Sequence, residues 1–278
     1  MRSSRVCAAA LLAALVFLSC QWDLGQAVCH PSVEQRVRES LDMPAPSAVT
    51  VNPDSFSFAM FGDPQVHDNL VHRLDRFRED VAARNISFFC VLGDLTHDAT
   101  DEEVRVIRQA MDSVGVRWYA TVGNHDLYQS DGWTKYRQNF GPATYSVTIA
   151  DRVKLIFIDT ASGVIGPTQF DWLEDQLADA EGMFSLVGTH FPCYDGIAPV
   201  MWRMASTAER HKLQYLLREY GAWAYVSGHI HGWRHTEVEG VNHFICGTMA
   251  PGGLDYGEPG YLLITFAHDS LAWQKVDF

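Results

Sequence analysis

The sequence has 278 residues, of which 47% are hydrophobic and 20% are charged, and its formal net charge at pH 7 is −13. This is an ordinary globular composition, and the length allows one or two domains. The negative charge repels polyanions and argues against a nucleic-acid-binding protein, so we predict no nucleic-acid partner. It does not exclude a small phosphate substrate, because a bound metal can dominate the local field.

The N-terminus has the pattern of a secretory signal peptide over residues 1–27. Two arginines precede an apolar run, residues 6–18, that is too short to span a bilayer. One cleavage point follows Ala27. The other precedes Cys20, within a bacterial lipoprotein-like box, so that residues 1–19 would be the signal and Cys20 would carry a lipid tether to a membrane. We predict export to the periplasm or secretion, and the sequence leaves lipidation and the oligomeric state open.

Apolar and amphipathic segments then follow one another along the chain. Residues 28–54 form a mixed lead-in, with a short helix predicted at residues 33–41. Strands are predicted at residues 56–61, 86–92, 116–122, 144–149, 153–158, 184–188, 222–226, 243–246, 261–266 and 272–276. Helices are predicted at residues 69–84, 101–113, 167–180 and 206–220. The pattern predicts one α/β domain over residues 55–278, with two β-sheets packed together and covered by helices.

Four cysteines lie outside the leader, at positions 29, 90, 193 and 246. Their wide spacing fits neither a zinc ribbon nor a small disulfide scaffold. Cys90 lies in a strand-like apolar run and is predicted to be a small buried hydrophobic residue. One disulfide is compatible with an oxidising compartment, and the sequence does not assign its pair.

Five of the predicted strands end in polar side chains that can bind a metal. They are Asp63 with Gln65, Asp94, Asn124-His125-Asp126, His190, and His229 with His231. Any one of these groups alone is an ordinary turn or a core histidine. In open α/β sheets, however, the ligand site lies beyond the carboxyl ends of the strands. The five groups together therefore predict one shared site.

The types of side chain restrict the metal. Two aspartates, one asparagine and three histidines, with no cysteine, favour Mn, Fe or Zn over Ca or an iron–sulfur cluster. If two metals lie at the usual separation of about 3.5–4 Å, one carboxylate must bridge them. His229 and His231 alternate around Ile230, so in an extended conformation both rings would point the same way and each would serve a different metal.

The order of these motifs resembles that of the calcineurin-like metallophosphoesterases over most of residues 56–270. The motifs are Gly-Asp-x-Gln (62–65), Gly-Asp (93–94), Gly-Asn-His-Asp (123–126), His190 and Gly-His-x-His (228–231). The resemblance implies a four-layer αββα sandwich of two mixed β-sheets flanked by helices, with a dinuclear metal site at the carboxyl ends of the strands. It also implies hydrolysis of phosphate monoesters or diesters by a metal-bound hydroxide.

Carried over residue by residue, the family pattern gives each motif a role. The first metal would be bound by Asp63, Asp94 and His231. The second metal would be bound by Asp94, Asn124, His190 and His229, with Asp94 as the bridge. The resemblance further implies that His125 protonates or stabilises the leaving oxygen and that Asp126 orients His125.

The first motif departs from the family, because Gln65 stands where a histidine is usual. A glutamine carbonyl binds a hard metal, but more weakly than imidazole binds Zn or Fe. His97, three residues after Asp94, stands where some purple acid phosphatases place a metal-binding tyrosine, and a solvated loop histidine is the alternative. The second hypothesis for the whole chain is a non-catalytic metal-binding or scaffolding protein with a weakened first metal site. Retention of His125 and Asp126 favours the enzyme.

Three further features lie close to the motifs in sequence. Cys193 and Tyr194 follow the fourth motif and either line the cleft or pack within a loop. The glycine-rich residues 247–253 are predicted to form a turn near the site, with a phosphate cradle as the alternative. Trp133 and Trp202 are predicted to lie in loops and to serve in packing rather than substrate contact.

Overall fold

A computed structural model describes residues 31–66, 70–194, 203–246, 249 and 258–277. The predicted signal segment and both of its cleavage points lie outside the described residues. Cys20 and Cys29 lie outside them as well. Trp202 and, apart from Met249, the glycine-rich segment 247–253 also lie outside them. None of the described helices is long and apolar enough to cross a membrane.

Two mixed β-sheets form the centre of the molecule, in the strand orders β11-β10-β1-β2-β3 and β4-β5-β6-β7-β9-β8. The strands of the first sheet are β1 Ser55–Phe61, β2 Ile86–Leu92, β3 Arg117–Thr121, β10 Gly260–Ala267 and β11 Ser270–Asp277. Those of the second sheet are β4 Tyr145–Ile149, β5 Val153–Phe157, β6 Phe184–Thr189, β7 Ala224–Ser227, β8 Trp233–Val238 and β9 Val241–Cys246. Strands β1 to β3 are parallel to one another, as are β5, β6, β7 and β9.

Six α-helices occur among the described residues: α1 Val33–Leu41, α2 Leu70–Ala83, α3 Asp101–Asp112, α4 Gly132–Asn139, α5 Pro167–Ala178 and α6 Thr207–Glu219. Their N-termini follow from local sequence. Thr100 and Glu103 form a reciprocal capping box that begins α3. Ser206 caps α6, and Pro167 occupies the first turn of α5, where its missing N–H costs nothing.

Alternation along the strands builds three hydrophobic cores. Phe58 and Phe88 stack at 4.9 Å between the two sheets. Phe61 and Phe89 point the opposite way and meet Phe77 of α2 edge-on. A third core joins the outer face of the second sheet to α5 and α6. The predicted four-layer arrangement of two mixed sheets flanked by helices is therefore confirmed.

The predicted elements agree with the observed bounds to within two residues, but α4 and β8 were not predicted. Helix α4 begins at a glycine without a side-chain cap and buries little besides Trp133 and Tyr136. Strand β8 is a partly exposed edge strand without apolar alternation. The expectation that Trp133 lies in a loop was wrong. It lies in α4, is buried, and donates from Nε1 to Glu39 at 2.7 Å.

The three described cysteines, Cys90, Cys193 and Cys246, are free and buried. Cys90 belongs to the core between the sheets, which confirms its predicted role as a small hydrophobic residue. Cys193 does not line the cleft, which was one of its two predicted positions. It packs instead in the core beneath α6. Burial raises the pKa of the Cys193 thiol to about 12, so this group is a neutral thiol at physiological pH.

Candidate metal centre

Glycines let the motif loops from the two sheets approach at backbone contact distance. A Cβ atom on Gly62 would lie 2.8 Å from Cα of Gly228, across the sheet boundary. A Cβ atom on Gly123 would lie 2.1 Å from Oδ1 of Asp94. Any other residue at these positions would force the loops apart. The glycines that the sequence marked as strand ends therefore also determine how closely the ligand side chains converge.

Three of the proposed ligands hold a left-handed backbone, with φ of 55° at Asp63, 51° at Asp94 and 65° at His229. Such conformations are uncommon for residues with a side chain and tend to occur at functional sites. His229 is the centre of a tight turn in which the Ile230 N–H donates to the Gly228 carbonyl at 2.8 Å.

This turn corrects the expectation that residues 229–231 are extended with both rings on one side. His229 Nδ1 faces His190 Nε2 at 3.2 Å, whereas His231 Nε2 faces Asp63 Oδ1 at 3.7 Å. The two histidines reach different partners because the backbone turns between them, not because it alternates.

Four of the predicted ligands form one compact group. His190 Nε2 lies 3.3 Å from Asp94 Oδ1 and 3.0 Å from Asn124 Oδ1. Asp94, His190 and His229 each present a ligand atom within 4.8 Å of the others. Asp94 and Asn124 follow strands of the first sheet, whereas His190 and His229 follow strands of the second. The site therefore joins the two sheets.

The hydrogen bonds of this group show that it fits a cation. His190 Nδ1 lies 2.8 Å from the Leu92 carbonyl, which can only accept, so Nδ1 carries a proton and Nε2 is the ring nitrogen that a metal would bind. Nε2 faces the carboxylate of Asp94 and the amide oxygen of Asn124, which are both acceptors. Acceptors that converge in this way repel one another unless a positive charge lies between them. Mixed carboxylate, amide and imidazole donors suit a transition metal.

The electrostatics of these side chains also favour a bound cation. Burial alone would raise the pKa of Asp94, but the neighbouring His190 reverses the effect and holds it well below its usual range. Burial likewise opposes a charge on His190, yet Asp94 and Asp63 raise its pKa to about 9. Burial, together with the charge of His190, lowers the pKa of His229 to about 3. The site therefore combines a persistent anion with a neutral imidazole, as metal ligands require.

A second group lies across the site, where Asp63 faces His231. The Asp63 carboxylate also accepts the His229 backbone N–H at 2.9 Å. Asp63 is completely buried, and burial raises its pKa to about 6 despite the opposing charges of His190 and His231. Asp63 and His231 are two of the three residues predicted to bind the first metal.

The expected contact from Asp126 to His125 is corrected by the structure. Both oxygens of Asp126 bind elsewhere, to Thr96 and to the Gly123 N–H. His125 is held instead by the His97 carbonyl, 2.7 Å from its Nδ1. Its Nε2 faces Asp94 Oδ2 at 3.9 Å, so the ring lies at the rim of the compact group. Asp126 therefore makes no described hydrogen bond to His125 and reaches it indirectly, through the shared backbone and through Thr96, which precedes His97.

The two uncertain candidates occupy different environments. Gln65 is buried, and its backbone N–H donates to the Asp94 carbonyl at 3.2 Å, which places it beside the second motif. The side chain of His97 is 55% exposed and pairs with Asp98 at 3.2 Å. His97 serves the site through its carbonyl, as described above, and its ring lies apart from the compact group.

Three residues that support the site do not stand out in the sequence. Thr96 binds Asp126, Phe191 stacks on the His229 ring at 3.8 Å, and Tyr128 contacts His125. Phe191 and Tyr128 lie within three residues of a motif histidine, and this proximity was the only signal of their role. No residue type alone predicts such supporting contacts.

The fold and the site define an α/β sandwich with a ligand cluster at the carboxyl ends of its strands. The profile of the calcineurin-like phosphoesterase family matches residues 56–233, and the chain belongs to this family. Human tartrate-resistant acid phosphatase type 5 is 34% identical over 170 residues, which cover 48% of this chain and 49% of that protein. The chain spans about half the length of the curated relatives it matches.

Solved structures share the fold at low sequence identity. A dimetal phosphatase from Danio rerio has a TM-score of 0.67 and 12% identity, with 80% of this chain and 97% of that chain covered. GAP50 of Plasmodium, described as the anchor in the inner membrane complex, has a TM-score of 0.66 and 15% identity over 81% of this chain and 85% of that one. At such identities the likeness shows the fold alone, and function must be argued from the site.

Proposed function

We propose that this chain is a metal-dependent phosphoesterase that hydrolyses small phosphate monoesters or diesters. The observation that carries the proposal is the convergence of Asp94, Asn124, His190 and His229, four acceptor groups from two sheets, with His125 at their rim. Family membership and the similarity to an acid phosphatase support the same reaction class. The likeness to GAP50, an anchor, does not favour a non-catalytic role, because at 15% identity it shows the fold alone.

Each group of the site has a chemical role in this proposal. The ligands would be Asp63, Asp94, Asn124, His190, His229 and His231. Two transition metals, of which Mn, Fe and Zn fit these donors, would supply the positive charge for the phosphoryl oxygens and activate a water molecule. The His97 carbonyl keeps a proton on Nδ1 of His125, so Nε2 is the atom that gives a proton to the leaving oxygen.

The substrate class is tested with p-nitrophenyl phosphate, bis(p-nitrophenyl) phosphate and p-nitrophenyl phenylphosphonate. We expect turnover with added Mn²⁺ and its loss with a chelator, because the acceptors alone cannot neutralise a phosphoryl group. The relative rates on the three compounds distinguish a monoesterase from a diesterase. If none of them is hydrolysed while metal analysis finds two bound metals, the non-catalytic binding or scaffolding role replaces the proposal.

His125→Ala should reduce kcat by roughly 10²- to 10⁴-fold on an ester with a poor leaving group, such as phenyl phosphate. The bound metals should be retained, because His125 is not among the proposed ligands. The measurement is steady-state hydrolysis together with metal analysis of the variant. Full activity on phenyl phosphate would remove the acid role from His125.

The extent of the first metal's ligand set is a separate hypothesis. Gln65 is buried beside the second motif, whereas the His97 ring is exposed and paired with Asp98. We therefore expect Gln65→Ala to weaken binding of the first metal and His97→Ala to leave the metal content unchanged. Equal metal content in wild type and both variants would exclude both side chains as ligands.

Export is also proposed, on the pattern of residues 1–27 and on the similarity to an acid phosphatase. Recovery of the expressed protein outside the cytoplasm tests it, and N-terminal sequencing would distinguish cleavage after Ala27 from cleavage before Cys20. If Cys20→Ala still fractionates with membranes, the proposed lipid tether is wrong.

A further inference from the structure

Tyr128 lies at the rim of the proposed metal centre and has no role in the reaction described above. Its hydroxyl is 3.3 Å from Nδ2 of Asn124 and 3.3 Å from Nε2 of His125. Its ring lies 4.3 Å from the His125 ring, and the residue is 41% exposed. One hydroxyl therefore contacts a proposed metal ligand and the proposed leaving-group acid together.

The direction of each hydrogen bond around Tyr128 follows from its donors and acceptors. The Asn124 Nδ2 group can only donate, so the Tyr128 oxygen accepts from it. The His97 carbonyl can only accept, so Nδ1 of His125 carries a proton. When Nε2 holds a lone pair, the Tyr128 O–H donates to it; when Nε2 carries the proton that His125 gives to the leaving oxygen, the Nε2–H donates to the Tyr128 oxygen. Because the amide NH₂ group of Asn124 donates to Tyr128, its oxygen faces His190 and the other proposed ligands.

We propose that Tyr128 is a positioning residue that holds the Asn124 amide with its oxygen toward the metal and the His125 ring with Nε2 at the rim of the site. Without the hydroxyl, the amide can exchange its oxygen and nitrogen positions, and Nε2 of the imidazole loses its one described hydrogen bond, which leaves only the longer approach to Asp94 at 3.9 Å. The effect should be greatest where the leaving oxygen needs a proton, as in an alkyl or phenyl ester. The proposal rests on the proposed phosphoesterase function for its kinetic consequence but not for the hydrogen bonds.

The conservative variant Tyr128→Phe keeps the ring contact with His125 and removes only the hydroxyl. Tyr194→Phe is the matched control, because Tyr194 is 40% exposed and follows another motif histidine. In the metal-free protein, ¹⁵N NMR of the histidine side chains should show the His125 Nε2 resonance moving downfield in Tyr128→Phe, because Nε2 loses its donor. Tyr194→Phe should leave that resonance in place.

The kinetic arm compares phenyl phosphate with p-nitrophenyl phosphate, which has a much better leaving group. In Tyr128→Phe, kcat on phenyl phosphate should fall by roughly three- to tenfold, the effect of one lost hydrogen bond, and should change little on p-nitrophenyl phosphate. An unchanged Nε2 resonance, or equal losses of kcat on both esters, would overturn the positioning role. If wild type hydrolyses neither ester with both metals bound, the proposed function fails, and the NMR arm alone decides whether Tyr128 holds His125.

Discussion

Asp126 uses both carboxylate oxygens to join two motif loops. Its Oδ1 accepts the backbone N–H and the hydroxyl of Thr96, both at 2.9 Å, and its Oδ2 accepts the N–H of Gly123 at 2.9 Å. The side chain is buried, and burial together with the charge of Asp94 raises its pKa to about 6. Asp126 therefore stabilises the loops that carry Asp94 and His125.

Asp126→Asn should lower the free energy of unfolding by about 1–3 kcal/mol at pH 8, where the aspartate is ionised. An amide must turn its NH₂ group toward either Thr96 or Gly123, and both of those groups donate. Chemical denaturation of the metal-free protein measures the change. Asp98→Asn, in an exposed carboxylate of the neighbouring loop, should change the stability by less than about 0.5 kcal/mol. Equal effects of the two substitutions would contradict the stabilising role of Asp126.

His243 is a buried histidine outside the site, 3.6 Å from the Cys193 sulfur. Burial, with a smaller contribution from His235, lowers its pKa from 6.5 to about 4. The unfolded chain therefore takes up a proton at a higher pH than the folded protein does. The stability that neutral His243 contributes is present above pH 6.5 and is lost as the pH falls toward 4.

His243→Gln should remove the part of the acid sensitivity that comes from this residue. Between pH 6.5 and 4, the wild type should lose on the order of 2–3 kcal/mol more stability than the variant. Urea denaturation at several pH values measures both curves, and His211→Gln, in an exposed position of α6, is the control. Parallel curves for wild type and His243→Gln would show that His243 is not responsible.

At the level of residues, the sequence predicted which side chains converge but not how they contact one another. Asp94, Asn124 and His190 were predicted because their chemistry and their positions at strand ends indicate a metal site. The contact between Asp126 and Thr96 joins two loops through a backbone N–H, which no side-chain pattern reports. The turn at His229 depends on the approach of Gly228 to Gly62, which is a property of the folded sheets.

Among the secondary-structure elements, helix α1 connects the lead-in segment to the site. Arg36 is completely buried and donates from Nε to Asp159 at 2.7 Å and from Nη2 to Ser162 at 2.8 Å. Thr160, next to Asp159, accepts the Phe191 N–H at 2.8 Å. Phe191 packs on the His229 ring, so α1 supports the loop that follows β6.

Arg36→Ala should lower the free energy of unfolding by about 3–5 kcal/mol, because Asp159 would remain as an uncompensated buried charge. Thermal or urea denaturation measures the loss. Arg38→Ala in the same helix is the matched control, because the Arg38 side chain is 61% exposed and its partner Glu34 lies 3.7 Å away. That substitution should cost less than about 0.5 kcal/mol. Similar costs for the two arginines would show that the buried pair does not anchor α1.

At the level of elements, periodicity predicted every strand with an apolar face and every helix with a continuous apolar stripe. It predicted α1 as a helix but not its role, because the partner Asp159 lies in the loop after β5 and is remote in sequence. Edge strand β8 escaped prediction because its sequence, which includes Arg234, His235 and Glu237, lacks the apolar alternation that marks a half-buried strand. Local sequence periodicity therefore does not predict ion pairs between residues remote in sequence, or edge strands without apolar alternation.

Across the whole molecule, aromatic residues join the edges of the two sheets. The Tyr145 hydroxyl donates to the Ala120 carbonyl at 2.9 Å and accepts its N–H at 3.0 Å, which satisfies the open edge of β3. At the opposite edge, Trp273 of β11 packs 4.5 Å from His235 and 6.2 Å from Trp233, both of β8. These contacts hold the two sheets together on either side of the core.

The candidate metal centre is the third place where the two sheets meet. Asp63, Asp94 and Asn124 follow strands of the first sheet, and three histidines, at positions 190, 229 and 231, follow strands of the second. In the metal-free protein these acceptors face one another, and only protons can reduce their repulsion. A bound cation would replace that repulsion with bonds that cross the interface, and metal binding would then be coupled to the stability of the sandwich.

Added Mn²⁺ should therefore raise the melting temperature of the protein, and a chelator should lower it. At a free metal concentration of 100 times Kd, each site contributes about 2.7 kcal/mol to the free energy of unfolding. Differential scanning calorimetry across a metal titration measures the gain. His229→Ala should lose much of it, because it removes a ligand from the second sheet, whereas His211→Ala on the exposed face of α6 should keep it. If metal analysis finds both metals bound and the melting temperature does not change, the cations do not connect the sheets, because a ligand held only by the folded state must stabilise it.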